Sequence, residues 1–242
     1  MTTILFFGDS LSFHGPDGPM PADDSRLWPN IAAAQLDGRT ELVAGFGWTA
    51  RDAYWSLVGD PRVWTLLPKA DVLVLGVGSM DTLPSPLPTY LRQGMRYLRP
   101  EGLRRWVRAR YQAAQPWLVR ATGGRPVALP PQLTVHYLDL VLRSIRALRP
   151  DLPAVAVLPP LHRAESYASV HTGRAPAAAA IRNWGATAGV PLLDLAALVG
   201  PHVLDGHGNI DGIHWGWDGH KIVGHALAEL VAETRPTGPV ST

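Results

Sequence analysis

Ile4-Leu5-Phe6-Phe7-Gly8-Asp9-Ser10 sets four apolar residues directly before a small polar triplet. An unbroken apolar run of this length reads as a strand covered on both faces, and the triplet as the loop at its end. Four more runs share the character: Glu41–Ala44, Asp71–Val77, Ala154–Leu158 and Pro191–Leu195. Helical periodicity fills the spaces, over Leu27–Leu36, Arg51–Val58, Leu133–Leu148, Ala175–Ala188 and Trp217–Thr234. Thr49-Ala50-Arg51-Asp52 has the pattern of a capping box before the second of these. Strands alternating with helices imply parallel crossovers. The expected fold is therefore α/β: a three-layer sandwich around a central parallel sheet of about five strands. Sites in such sheets form beyond the carboxyl ends of the strands. Ser10, Gly47 and Gly78 follow the first three strands in turn.

The totals agree with one packed catalytic unit. The chain has 242 residues, of which 46% are hydrophobic and 17% charged, enough for a sizeable core. Residues 1–234 are read as a single domain, and 235–242 as a disordered tail. With no cysteine, disulfides, thiolate ligands and a cysteine nucleophile are excluded. A net charge of +2 does not argue for nucleic acid. No apolar run has the length of a membrane span, and the N-terminus has no basic leader. A cytoplasmic location is the expectation.

One segment breaks the alternation. Between Thr82 and Leu133 no strand is evident, and prolines mark both ends, from Pro84 to Pro131. Tyr90–Arg120 has helical periodicity interrupted near Pro100. Residues 83–131 hold nine arginines, from Arg92 to Arg125, against one acid, Glu101. Apolar residues such as Met95, Leu103, Trp106 and Trp117 are interleaved. Two readings stand: a solvated basic hairpin, or a helical lid above the strand-three end that holds an anionic substrate and an apolar chain.

The chemistry lies at the two ends of the chain. Ser10 supplies a hydroxyl, and Asp211-Gly212-Ile213-His214 supplies a carboxylate and an imidazole three residues apart. A serine hydroxyl is a poor nucleophile unless a base takes its proton, and the base needs an acid to fix its tautomer. Candidate substrate contacts are Asp9, Trp48, Gly78 and Met80 at the strand ends, and Trp215 beside the base. His162, Arg163 and Tyr167 follow the fourth strand and join them. Core packing is the plain alternative for Trp215 and Met80, and a structural loop for the last three. His202, His207, His214, His220 and His225 cluster in sequence. His214 and His220, six residues apart, do not share a helical face, so no metal site is expected. His14 and His136 have no evident partner.

These blocks resemble the GDSL (SGNH) hydrolase superfamily over most of the chain. The resemblance implies a flavodoxin-like sandwich with Ser10 as nucleophile and Asp211 and His214 completing the triad. It also implies backbone N–H donors on Ser10 and Gly47 for the oxyanion. Gly78-Ser79-Met80-Asp81 matches a block that usually reads Gly-x-Asn-Asp. Met80 therefore stands where an amide donor is expected, and a thioether donates no hydrogen bond. Losing one such donor costs roughly 10²–10³ in rate.

Several stretches resemble a narrower group. They include Gly15-Pro16, Pro21-Ala22-Asp23-Asp24, Leu27-Trp28-Pro29-Asn30-Ile31, Gly47-Trp48-Thr49, Met80–Ser85 and Trp215 after the Asp-x-x-His motif. The group is the octanoyltransferases that act on diglucosylglycerate early in methylglucose lipopolysaccharide assembly. That likeness implies octanoyl-CoA as acyl-donor substrate, no bound cofactor, and a hydroxyl of glucosylglycerate or diglucosylglycerate as acceptor. An esterase or carbohydrate deacylase would use the same residues. A non-catalytic carbohydrate-binding module is the reading outside enzymes.

Overall fold

A computed structural model describes residues 1–87, 91 and 94–234. The expected tail, 235–242, lies outside the described residues, as do Tyr90 and Arg92 of the insertion. Its sheet is built from β1 (Thr2–Gly8), β4 (Gly38–Ala44), β5 (Val72–Gly76), β6 (Ala154–Leu158) and β7 (Leu192–Asp194). β2 (His14–Gly15) and β3 (Gly18–Pro19) form a separate two-stranded ribbon. The five strands are all parallel and run in the order β4-β1-β5-β6-β7. The chain steps from β1 to one side, then crosses to the other, so the loops after β1 and β5 diverge. A crevice opens at that switch point.

Period-two alternation divides the core. Leu5, Phe7, Leu73 and Leu75 face one layer, formed by α2 (Ala50–Gly59), α5 (Pro131–Arg146) and α6 (Arg174–Ala188). Ile4, Phe6, Val72 and Val74 face the other, formed by α1 (Trp28–Gln35), α7 (Leu195–Leu204) and α8 (Trp217–Thr234). All eight of these strand side chains are fully buried, which is why β1 and β5 read as continuous apolar runs. The capping-box acid is in place: Asp52 Oδ2 accepts from Thr49 N at 2.8 Å and from its hydroxyl at 2.6 Å. Two helices were not foreseen: α3 (Pro61–Leu66) and α7.

No residue between β5 and α5 joins the five-stranded sheet among the described residues. The segment's main element is α4 (Glu101–Ala121), which begins after Pro100, where the break was expected. Its root is closed by an isolated bridge between Pro84 and Val127 and by Ala128 N donating to Leu83 O at 2.9 Å.

Candidate active site

The end of β1 becomes a short 3₁₀ turn, Ser10–Ser12. Asp9 caps it, its Oδ1 accepting from Leu11 N at 2.9 Å. The Trp28 indole N–H donates to Leu11 O at 3.0 Å and pins the turn to α1. Ser10 is thereby held at the sheet's edge, 3% exposed.

The base and acid come from the loop before α8. Gly212 has φ +72, and a Cβ there would press on the backbone of Arg163 and Ala164 at 2.8 Å. Both facts require glycine. Arg163 N donates to Gly212 O at 2.9 Å, tying this loop to the one after β6. Asp211 Oδ1 accepts from Ile213 N at 2.8 Å and His214 N at 3.0 Å. Asp211 Oδ2 lies 2.5 Å from His214 Nδ1, and His214 Nε2 lies 2.8 Å from Ser10 Oγ. An ionised Asp211 can only accept, so Nδ1 carries the proton and Nε2 is left to accept from the serine hydroxyl. Burial pushes the Asp211 pKa up, but hydrogen bonds from His214 and Ile213 N outweigh it and hold it down to about 2. The acid therefore remains an anion where it can stabilise an imidazolium.

Gly47 has φ +68, and the nearest heavy atom to a Cβ built on it is Met80 Cε, at 4.0 Å. The thioether thus reaches the space beside Gly47, and it also packs against Leu83, Ala164 and Tyr167. Met80 therefore fills a small apolar cluster and ends beside Gly47 with a methyl group that offers no hydrogen-bond donor.

Residues 6–222 match the model of the GDSL-like Lipase/Acylhydrolase family. The chain belongs to that family. Within it, the chain is 46% identical over 230 residues to a Mycobacterium tuberculosis protein named diglucosylglycerate octanoyltransferase, covering 95% of this chain and 92% of the relative. It is 48% identical to the Mycolicibacterium hassiacum protein of the same name, covering 96% and 95%. Solved structures share the fold at low identity. A lipase/acylhydrolase from Enterococcus faecalis superposes with a TM-score of 0.62 at 15% identity, covering 98% of this chain and 99% of that one. An aryl esterase from M. smegmatis gives 0.58 at 16%, covering 97% and 100%.

The other expected contacts of this GDSL site scatter. Trp215 is not a substrate contact but core: it is 1% exposed and packs with α1 and α8 at 6.0 Å from Trp28. Asp9 is also corrected. It is fully buried beneath the serine, and burial together with repulsion from buried Asp81 raises its pKa to about 7. Asp81 in turn accepts from Thr134 Oγ1 at 2.8 Å and Ala50 N at 3.1 Å, joining the β5 loop to α2. Arg163 turns its guanidinium towards Gly206. His162 is buried, its Nδ1 accepting from Ala164 N at 3.2 Å, with its ring 5.8 Å from Tyr167 and 4.2 Å from His171. Trp48 folds back against Gly45, and Gly78 faces Ile181 and Thr134. Met80 and Tyr167 are the two of the eight that remain at the mouth.

His14 was missed. Its ring stacks on His214 with centroids 3.8 Å apart and planes 17° from parallel. Its Nδ1 donates to Gly15 O at 2.8 Å, and burial, then the neighbouring His214, lowers its pKa. His220 stands behind it. Trp28 N donates to His220 Nδ1 at 3.2 Å, so Nε2 holds the proton and donates to His14 O at 3.1 Å. Burial pushes the His220 pKa down to about 4, keeping it in that neutral form. Of the histidines near the C-terminus, His220 is thus the one that braces His14, and through it the base. Among the described residues, no three His, Cys, Asp or Glu side chains gather as a metal site.

A cavity of about 730 Å³ lies under α4 and reaches the site's neighbours Phe46 and Tyr167, with no triad residue in its lining. Phe46 and Tyr167 line its floor and α4 its roof. Phe46 lies between Gly45 and Gly47, and its ring meets that of His14 at 5.8 Å.

Proposed function

We propose that this enzyme moves an octanoyl group from octanoyl-CoA to a hydroxyl of diglucosylglycerate or glucosylglycerate, through an ester on Ser10. The observation that carries the reading is the 46–48% identity, over nearly the full length of each, to two proteins named for that transfer. The hydrogen-bonded row from Ser10 to Asp211 gives it a mechanism. His214 Nε2 takes the Ser10 proton as Oγ attacks the thioester carbonyl. The Ser10 and Gly47 N–H groups face the developing oxyanion. The C–S bond breaks, and the imidazolium returns its proton to the departing thiolate. A sugar hydroxyl then gives its proton to His214 and attacks the serine ester. Oγ leaves and is reprotonated by the same imidazolium.

Met80 fits a transferase better than a hydrolase. A missing donor slows attack by water and by sugar alike, and the methyl group beside Gly47 is what favours the sugar, because it crowds water while tolerating an acyl chain. No helix among the described residues is long and apolar enough to cross a membrane, and a cytoplasmic reaction is the reading that a CoA thioester donor supports. Intact-protein mass spectrometry after octanoyl-CoA tests the proposal. The expected result is an octanoyl adduct on Ser10 that diglucosylglycerate discharges into an octanoylated glycoside. Free octanoate released at the same rate with and without the glycoside would make the protein an esterase.

A further inference from the structure

The charge of the chain is strongly divided. Residues 83–131 are formally +8, with nine arginines and one glutamate, while the rest of the chain carries 13 basic and 19 acidic residues. Part of that charge is gathered at one place. Arg96, Arg104, Arg105 and Arg108 all line the cavity beside the site. Among the described residues one carboxylate touches this group, Glu101 at 3.5 Å from Arg104. Guanidiniums grouped with so little compensation make the cavity electropositive, a field that favours an entering polyanion. A monocarboxylate such as a glycerate would satisfy one of them. Several phosphates would satisfy three or four, in the bidentate geometry that arginine suits.

The rest of the lining includes apolar surface. Phe46 and Tyr167 are aromatic, and Met95 adds a thioether. Phe46 precedes Gly47 in the chain, and Tyr167 packs on Met80. The cavity is thus lined by arginines and by two aromatic residues that neighbour Gly47 and Met80, which themselves lie outside its lining. A thioester with phosphates at one end and an acyl chain at the other matches both kinds of lining.

We propose that this cavity seats the phosphate-bearing end of the acyl donor, clamped by Arg96, Arg104, Arg105 and Arg108, with the acyl chain passing Phe46 and Tyr167 to reach Ser10. The glycoside then enters from another side. The assignment rests on the reading of a CoA thioester as donor, but its test does not need turnover.

Calorimetric titration of the whole protein with CoA at low salt is the experiment. Wild-type protein binds CoA, and pantetheine, which lacks the phosphates, binds about tenfold or more weakly. Arg104→Gln with Arg108→Gln weakens CoA about tenfold or more and leaves pantetheine within twofold. Arg120→Gln, on the same helix but outside the cavity, leaves CoA binding as in wild type. Pantetheine binding as tightly as CoA overturns the proposal in the wild-type protein, independent of any effect on folding. Equal losses in the Arg120 variant reduce the effect to general charge and also overturn it. A double variant that loses affinity for the glycoside but not for CoA assigns the cavity to the acceptor. Protein that binds CoA as described but transfers no octanoyl group overturns the transferase reading and leaves this one standing.

Discussion

The floor of the site and the helix above it are built on opposite plans. In the floor, Ser10, His214 and Asp211 form one hydrogen-bonded row, and neighbouring groups hold each of them in place. Asp9 caps the turn that carries the serine, and His220 holds the backbone of His14, whose ring lies on the base. In α4, by contrast, Leu103, Trp106 and Trp117 stand 43%, 58% and 67% exposed, and most arginines face solvent. A floor held by mutual contact fixes one geometry, so single changes there should strike the chemical step. A roof held by few contacts shapes which ligands arrive, so changes there should appear in affinity.

The largest effect expected is at the nucleophile. Ser10→Ala removes the atom that bonds to the acyl group, and kcat for octanoyl transfer should fall by a factor on the order of 10⁴ or more. Steady-state assays with octanoyl-CoA and diglucosylglycerate measure it. His214→Ala should cost about the same, and the two together scarcely more, because they act as a unit. A double loss equal to the product of the single losses would mean that the floor is not one machine.

Met80 offers a change in the other direction. Met80→Asn puts an amide beside Gly47, where the side chain already ends. If a missing donor is what slows the ester, hydrolysis of an activated octanoyl ester such as p-nitrophenyl octanoate should rise by roughly 10- to 100-fold. Octanoate lost to water per octanoate transferred should rise as well, because the substitution also removes the methyl group that crowds water. An unchanged partition ratio would show that the roof, not the thioether, keeps water from the ester.

How far these features were legible follows from the distance over which they act. β1 and its serine were readable because burial on both faces leaves a continuous apolar run. The carboxylate and imidazole were readable because one short loop holds both. His14 was not, since its partner is 200 residues away and stacking leaves no local pattern. Trp215 was misplaced because adjacency to His214 says nothing about which way a side chain leaves a turning loop. α3 has six residues, too few turns for a helical period to show. α7 opens with Leu195-Ala196-Ala197-Leu198-Val199, apolar on every side, which reads as the tail of a strand. The basic, interleaved pattern of the insertion was visible, but not which arginines share a cavity.

The buried acids under the floor give a smaller, pH-dependent signature. Burial lifts Asp9 and Asp81 to about 7. A carboxyl with a folded pKa above its unfolded value binds more protons when folded, so its stabilising share is full below about pH 4 and is lost as pH rises through about 7. His162, His171 and His220 are depressed by burial and slope the other way, so the wild-type profile is a mixture. The difference between Asp9→Asn and wild type isolates one acid. The amide oxygen can still accept from Leu11 N, and the variant should gain on wild type between pH 5 and pH 8 by roughly 2–3 kcal/mol. Chemical denaturation at both pH values measures it. A constant difference would mean that Asp9 is ionised in the folded protein across the range.

The smallest effect belongs to the roof. Trp28 and Trp117 are the same residue type in the two regions. Trp28 is 1% exposed, meets Phe6 edge-on at 4.8 Å and holds the serine turn through its N–H. Trp117 lies on the outer face of α4, 67% exposed. Trp117→Ser deletes a ring that has left little water behind, so unfolding free energy should change by no more than about 0.5 kcal/mol. A buried tryptophan truncated to alanine typically costs 3–5 kcal/mol. Affinity for CoA should also be unchanged, because Trp117 is outside the cavity. A loss above 2 kcal/mol on denaturation would mean that the outer face of α4 is covered in solution, and the contrast between a self-contacting floor and an open roof would fail.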